Sequence, residues 1–325
     1  MATPTANSTP TSIVDPFAAG TGRYLTDGTK WGGAFGTGVT LTYSFPGSSA
    51  YHTTPYGSYF HAGEWLGLQA LATGERTAVR NALDVWSAVA GVKFAEVSDS
   101  ASTVGELRFA YTTYDTAAEF AHAYLPHDEP AAGDVWLSYA NWNPNSAAAI
   151  AKGSDDFHTL LHEIGHSLGL KHSFDTPNAI PAAYDNFFNT VMSYSARTSG
   201  DSGTASFLPT TPMYYDLLAI QALYGRNAAH NAGDTTFTFN EGQRYFQTID
   251  DAGGRDRIIY SGNQGVVINL AEGKFSSLSA PITFDNGSSK STVAIGPQTV
   301  IEVAYGGGGN DKLNDGVNLR LPSGS

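Results

Sequence analysis

His162, Glu163, His166, Gly169 and His172 all fall within residues 162–172, and this spacing constrains the chain more than any other feature. On a helix, His162 and His166 stand one turn apart on the same face, so both ring nitrogens can reach one metal ion. Gly169 lets the chain turn sharply with positive φ and bring His172 back as a third ligand. Three protein ligands leave a fourth position open for water, which separates a catalytic zinc site from a structural one. Glu163 lies beside the first ligand and can point at that water, the place of a general base in peptide hydrolysis. Histidines on helix faces are also commonly solvated or satisfied core residues. His158, one turn before His162 but with no following glutamate and no returning ligand, is read as a solvated or capping residue.

A second signal lies twenty residues past His172, in Thr190-Val191-Met192-Ser193-Tyr194. Alone, a methionine two residues before a tyrosine is ordinary core packing. Joined to the pattern above it is similar to the Met-turn of the metzincins, and the chain resembles a serralysin-type member of that clan. The resemblance implies that Met192 forms a floor beneath the three histidines. It also implies that Tyr194 is a further zinc ligand that moves off the metal and donates a hydrogen bond to the developing oxyanion. Matrixins share the zinc motif, and Ser173 matches their habit, but they lack a tyrosine at the position of Tyr194. Astacins have the tyrosine but depend on disulfides, and this chain has no cysteine.

Composition agrees with an extracellular enzyme. The chain has 325 residues, enough for a large core or two domains, and no apolar run approaching a membrane span. Seventeen basic residues against 30 acidic ones give a formal charge of −13, which disfavours nucleic acid and anionic membranes and suits calcium binding. The absence of cysteine excludes a disulfide framework and any thiolate zinc site. No basic-then-apolar signal pattern opens the chain. The resemblance implies secretion by a type I exporter, yet the last residues, from Leu319 to Ser325, carry no apolar terminal signal of that kind. A truncated or unusually short family member exported by another route is the expectation.

Residues 1–24 read as a flexible leader or propeptide remnant. Val39 to Phe45 alternates as a first strand. Residues 75–90 carry apolar positions at Val79, Leu83, Val85, Trp86 and Val89, an amphipathic helix. Further strands are expected near Val92, Leu107 and Asp134. The zinc helix is placed at about 155–168. A helix over 214–225 ends at Gly225. Through the resemblance, the segment with Ala121, Ala123 and Tyr124 is the edge strand on which an extended peptide substrate pairs; an internal strand is the plainer alternative.

After about Asn227 the chain turns rich in Gly, Asn, Asp and short apolar stretches, favouring strands and turns. Residues 306–314 match the calcium-binding nonapeptide, with Asp311 as an oxygen donor and Leu313 pointing inward. With one copy only, a complete parallel roll is not expected. The resemblance implies further calcium sites. Carbonyls of Asn231, Gly233 and Gly253, with Thr235 and the carboxylates of Asp251 and Asp256, form one set; Glu302 joins Asp256 and the Gly254 carbonyl in another. The same residues are those of polar hairpin turns.

The expectation is therefore an α+β fold. A metzincin catalytic domain (25–226), a mixed twisted sheet with helices and a Met-turn, precedes a smaller β-rich calcium-binding domain with a truncated repeat (227–325). The resemblance implies a zinc- and calcium-dependent endopeptidase of broad specificity, acting on proteins and peptides as a monomer, with a proteinaceous inhibitor as a further partner. The alternative is a latent binding or adhesion module built on the calcium-dependent β domain.

Overall fold

The computed structural model describes residues 11–13, 24–48, 50–52, 56, 63–114, 119–142, 150–201 and 203–314. The chain divides into two compact units, one of residues 1–180 with 219–226, the other of 181–218 with 227–325. The leader expected over 1–24 lies mostly outside the described residues. Within it, β1 (Thr11–Ile13) pairs antiparallel with β2 (Thr29–Trp31). The terminal stretch 315–325 lies outside the described residues.

The first unit is built on a mixed sheet. Its strands are β3 (Val39–Ser44), β4 (Leu68–Gln69), β5 (Val92–Glu96), β6 (Leu107–Thr112), β7 (Ala121–Ala123) and β8 (Val135–Ser138), in the order β5-β3-β6-β8-β7, with β4 pairing β6. β5, β3, β6 and β8 run parallel, and β7 closes the edge antiparallel to β8, with His122 opposite Trp136. β6 and β8 are buried along their whole length, which is why they read as near-continuous apolar runs rather than alternating ones.

Two helices pack with this sheet. α1 (Thr73–Val89) buries Val79, Ala82, Leu83 and Trp86, the face anticipated from the 3.6-residue period. Its N-terminus is closed by Glu75, whose carboxylate accepts the Ala72 N–H at 2.6 Å. α2 (Asp155–Ser167) starts at Ser154, whose hydroxyl accepts the Phe157 N–H at 3.1 Å, with Asp155 and Asp156 in the first turn favoured by the helix dipole. The Trp86 indole N–H donates to the Leu161 carbonyl at 3.2 Å, tying α1 to the middle of α2.

α3 (Tyr214–Tyr224) is followed by Gly225 at φ +75°. The second unit beyond it is a set of short, largely parallel ladders. β9 (Thr236–Asn240), β11 (Arg257–Ser261) and β15 (Val303–Tyr305) form one, in the order β15-β11-β9; β10 (Gln247–Ile249) pairs parallel with β14 (Val293–Ile295), and β13 (Phe275–Ser276) joins β14 antiparallel. β12 (Val267–Asn269) pairs parallel with β16 (Lys312–Asn314), the end of the nonapeptide. Phe239, Ile249, Ile258, Ile268, Val293 and Ile295 fill the core between these ladders. The parallel winding thus extends well upstream of the one recognisable repeat. Leu313, expected to point inward, is 54% exposed; β16 is the last described strand, and no later turn packs over it among the described residues.

Candidate metal centre and catalytic site

The zinc-ligand candidates are held by a helix end whose backbone is fully accounted for. After Ser167 the chain passes through Leu168 to Gly169, which sits at φ +100°. The Gly169 N–H donates to His166 O at 2.8 Å and the Leu170 N–H to Gly165 O at 3.0 Å, the paired bonds of a Schellman turn. A Cβ at residue 169 would collide with the Thr29 carbonyl oxygen, so both conformation and space demand glycine. The last carbonyls of α2 find partners outside the helix. Trp31 Nε1 donates to Ser167 O and the Tyr224 hydroxyl to Leu168 O, both at 2.7 Å. The returning segment is held against residues 25–27, with Lys171 N–H donating to Leu25 O at 2.7 Å and Asp27 N–H to Gly169 O at 3.1 Å.

This turn brings His162, His166 and His172 together. His166 Nε2 lies 3.0 Å from His162 Nε2 and 3.1 Å from His172 Nε2. A tetrahedral zinc with bonds of about 2.1 Å places its ligand atoms about 3.4 Å apart, close to this spacing. His166 Nδ1 donates to Leu170 O at 2.7 Å, which leaves its Nε2 lone pair facing the other two rings. His172 Nδ1 is held by Asp175 Oδ2 at 3.1 Å. Burial, and then His172, depress the His166 pKa to about 3, and burial lowers that of His172. Neutral imidazoles with converging lone pairs are the state a divalent metal requires. The donor set fits zinc.

Glu163 is buried beside this cluster, and its Oε2 has no hydrogen-bond partner among the described residues. Burial first, and then the charge of Glu119, raise its pKa to about 8. The edge strand β7, carrying Ala121 and Ala123, packs alongside α2. Tyr124 turns its hydroxyl to Glu64, a buried acid that also contacts His122 Nε2 at 3.3 Å. His158, expected to be solvated or capping, is instead buried, and burial alone lowers its pKa to about 4. It faces inward because α2 is buried around most of its circumference.

The second unit carries the Met-turn. Met192 is fully buried and Tyr194 is 60% exposed. Asp216 in the first turn of α3 binds this turn through two contacts, Thr190 Oγ1 at 2.6 Å and Val191 N–H at 2.8 Å, and also accepts the Met213 N–H, just before its own helix, at 2.7 Å. Burial raises the Asp216 pKa to about 7 against the pull of these donors.

Some of the calcium candidates of the same unit lie together, Asp251 against Asp256 and Asp256 against Thr235 and Glu302. Asp251 and Asp256 are 2% and 1% exposed, and Oδ2 of Asp256 has no hydrogen-bond partner among the described residues. Asp256 Oδ1 accepts the Thr235 N–H at 2.7 Å, Asp251 Oδ1 accepts the Gly253 N–H at 2.8 Å, and Thr235 Oγ1 donates to the Gly233 carbonyl at 2.8 Å. Asn231 is left-handed at φ +51°, and Gly254 approaches Gly233 so closely that a Cβ would meet its carbonyl. Glu302 Oε2 accepts the Asp256 N–H at 2.6 Å. Burial, only partly offset by the Gly253 N–H and reinforced by the facing Asp256 carboxyl, raises the Asp251 pKa to about 6. Two buried carboxyls set against each other among carbonyl oxygens suit a hard cation such as calcium. Asp311 Oδ1, in the nonapeptide, accepts the Val266 N–H at 3.1 Å.

Residues 69–195 match the family described as Matrixin, within peptidase M10, and residues 215–319 match the peptidase M10 serralysin C terminal. Serralysin C of Dickeya chrysanthemi is 32% identical over 313 residues, covering 88% of this chain and 61% of the relative. Serralysin of Photorhabdus sp. (strain Az29) is 30% identical over 84% of this chain and 57% of the relative. Serralysin of Proteus mirabilis is 30% identical over 72% of this chain and 52% of its own length. The chain belongs to the serralysin-type M10 metallopeptidases. It spans about three fifths or less of the length of these relatives. An α+β fold with a β-rich C-terminal region, and zinc and calcium as cofactors, follow for this serralysin-type chain. No helix among the described residues is long and apolar enough to cross a membrane.

Several participants were not apparent from spacing. Asp175, Asp216, Glu64 and Glu119 act through folded contacts; only Asp175 stood close enough to a ligand to be suspected as its hydrogen-bond partner. Asp175→Ala is expected to weaken zinc affinity by roughly tenfold or more in a chelator competition, because His172 loses the acceptor that orients it; affinity equal to the wild type would refute that role. Calcium at a hundredfold excess over its dissociation constant is expected to stabilise the protein by about 3 kcal/mol per site in thermal or urea unfolding. Asp256→Asn should remove most of that gain, and an undiminished gain would exclude Asp256 as a ligand.

Proposed function

We propose that this chain is a secreted zinc endopeptidase that hydrolyses peptide bonds in proteins with broad specificity. The single observation that carries this reading is the trio of converging imidazole nitrogens with a buried, partly unsatisfied glutamate next to the first of them. When bound, zinc supplies Lewis acidity toward a peptide carbonyl and lowers the pKa of a coordinated water to about 7.

His162, His166 and His172 hold the metal. Glu163 takes the proton of the attacking water and delivers it to the leaving amine; its raised proton affinity matches a group that must both accept and release a proton near neutral pH. Tyr194 would be a further residue to hold the metal, and its phenolic hydrogen would be available for donation to the developing oxyanion. Met192 forms the apolar floor of the site. The main chain of Ala121, Ala123 and Tyr124 pairs with an extended substrate, a use open to β7 because it is the last strand of its sheet.

Residues 25–226 form the catalytic domain and residues 227–325 the calcium-binding one. Asn231, Gly233, Thr235, Asp251, Gly253, Gly254, Asp256, Glu302 and Asp311 supply the calcium oxygens. The protein acts outside the cell as a monomer, and a proteinaceous inhibitor is its other partner.

Glu163→Gln is expected to bind zinc with the stoichiometry of the wild type while losing at least about a thousandfold in kcat/KM on a fluorogenic peptide, the loss of a general base together with its proton delivery. A zinc-loaded Glu163→Gln protein cleaving at the wild-type rate would overturn the mechanism.

A further inference from the structure

Tyr194 projects from a segment anchored on both sides by buried carboxylates. Asp185 is 2% exposed; its Oδ1 accepts the Ser193 hydroxyl at 2.7 Å and its Oδ2 the Ser199 hydroxyl at 2.6 Å. The Ser193 oxygen in turn accepts the Ser195 N–H at 3.0 Å. Ser195 then fixes the next stretch, its hydroxyl oxygen accepting the Gly200 N–H and its carbonyl the Phe187 N–H, each at 2.9 Å. On the other side, the Met192 N–H donates to Thr190 Oγ1 at 2.9 Å, and Thr190 donates to Asp216.

The outcome is a sharp contrast within three residues. Ser193 and Ser195 are 1% and 5% exposed, whereas Tyr194 between them is 60% exposed. Ser193 is held through its side chain and Ser195 through backbone and side chain, which favours movement of the tyrosine by rotation of its own side chain about a fixed Cα. Charge-assisted hydrogen bonds of this length are roughly twice as strong as neutral ones, and the one to Ser193 is shielded from water.

We propose that Asp185 is a positioning residue for Tyr194, holding Ser193 and, through the Ser193 hydroxyl, Ser195, so that the phenol swings from a fixed pivot. The proposal rests on the reading of Tyr194 as a participant in the reaction. A loop held only by its ends would let the phenol drift by an ångström or more, an error that can cost up to about a hundredfold in rate.

The test is a double-mutant cycle on the full chain. Ser193→Ala and Asp185→Asn are each made in the wild type and in Tyr194→Phe, and kcat and KM are measured on a fluorogenic peptide. Two further readouts do not depend on turnover: amide hydrogen exchange over residues 190–201 in metal-free protein, and the phenolate-to-metal charge-transfer absorbance of Cu(II)-substituted protein. With Tyr194 present, each clamp variant is expected to lower kcat by roughly tenfold with KM within about twofold. In the Tyr194→Phe background the same changes should have no further effect on kcat. Exchange at Ser195 should accelerate in both clamp variants. The copper band should weaken or shift in them and vanish in Tyr194→Phe.

Equal losses of kcat in both backgrounds would overturn the positioning role in favour of a general structural one. Wild-type kcat and an unaltered copper band in Ser193→Ala, with Tyr194→Phe impaired, would overturn it while leaving the Tyr194 reading intact. Tyr194→Phe with wild-type turnover and an unaltered band would sink both. Should Asp185→Asn fail to fold, Ser193→Ala alone decides, since it removes one hydroxyl and leaves the carboxylate bonded to Ser199.

Discussion

Three imidazole nitrogens that face one another with their lone pairs need a cation between them, and the architecture around residues 162–172 exists to impose that arrangement. Two of the rings are placed by helix geometry alone. The third depends on a single turn, whose left-handed glycine, paired backbone bonds and close approach to Thr29 leave it one conformation. Trp31 and Tyr224 then satisfy the carbonyls that the helix end leaves open, and Trp86 fixes the helix from its other side. Two of the three rings are thereby set on a helix and the third on a turn pinned by backbone bonds, which favours holding reacting groups within a fraction of an ångström.

The same economy governs three acids, of which Asp185 and Asp216 are buried and Asp175 is partly exposed. Asp175 holds the His172 ring, Asp216 gathers Thr190 and Val191, and Asp185 grips Ser193, beside Tyr194, together with Ser199. Each is a short carboxylate receiving directed N–H or O–H bonds, which fixes geometry more tightly than apolar packing can. Asp251 and Asp256 differ in kind. They face each other at a cost in electrostatic energy, a cost that a cation bound between them would relieve.

Much of this was legible in the sequence because it depends on local spacing. The histidine interval, the glycine after it and the apolar period of α1 each predict a local geometry that packing has no reason to alter. Observed bounds for α1, α2 and α3 lie within a residue or two of the expected ones. What spacing could not supply was the destination of side chains. His158 was read as solvated because nothing near it in the chain marks how completely α2 is covered. Leu313 was expected to point inward because its motif puts it there, and it is 54% exposed. The extent of the parallel ladders was underestimated because only one repeat keeps its glycines, while β9, β11 and β15 pair through apolar positions that any strand could carry. Asp185 and Asp216 are separated from their partners by loops whose course no periodicity records.

The central claim, a zinc-dependent peptidase built on these three histidines, is most directly tested by casein cleavage with purified protein whose zinc content is measured in parallel. The account predicts cleavage that is lost with the metal on treatment with 1,10-phenanthroline and restored by adding one equivalent of zinc, at fixed calcium. Cleavage that persists in zinc-free protein, or a folded and zinc-loaded chain that leaves casein intact, would contradict it.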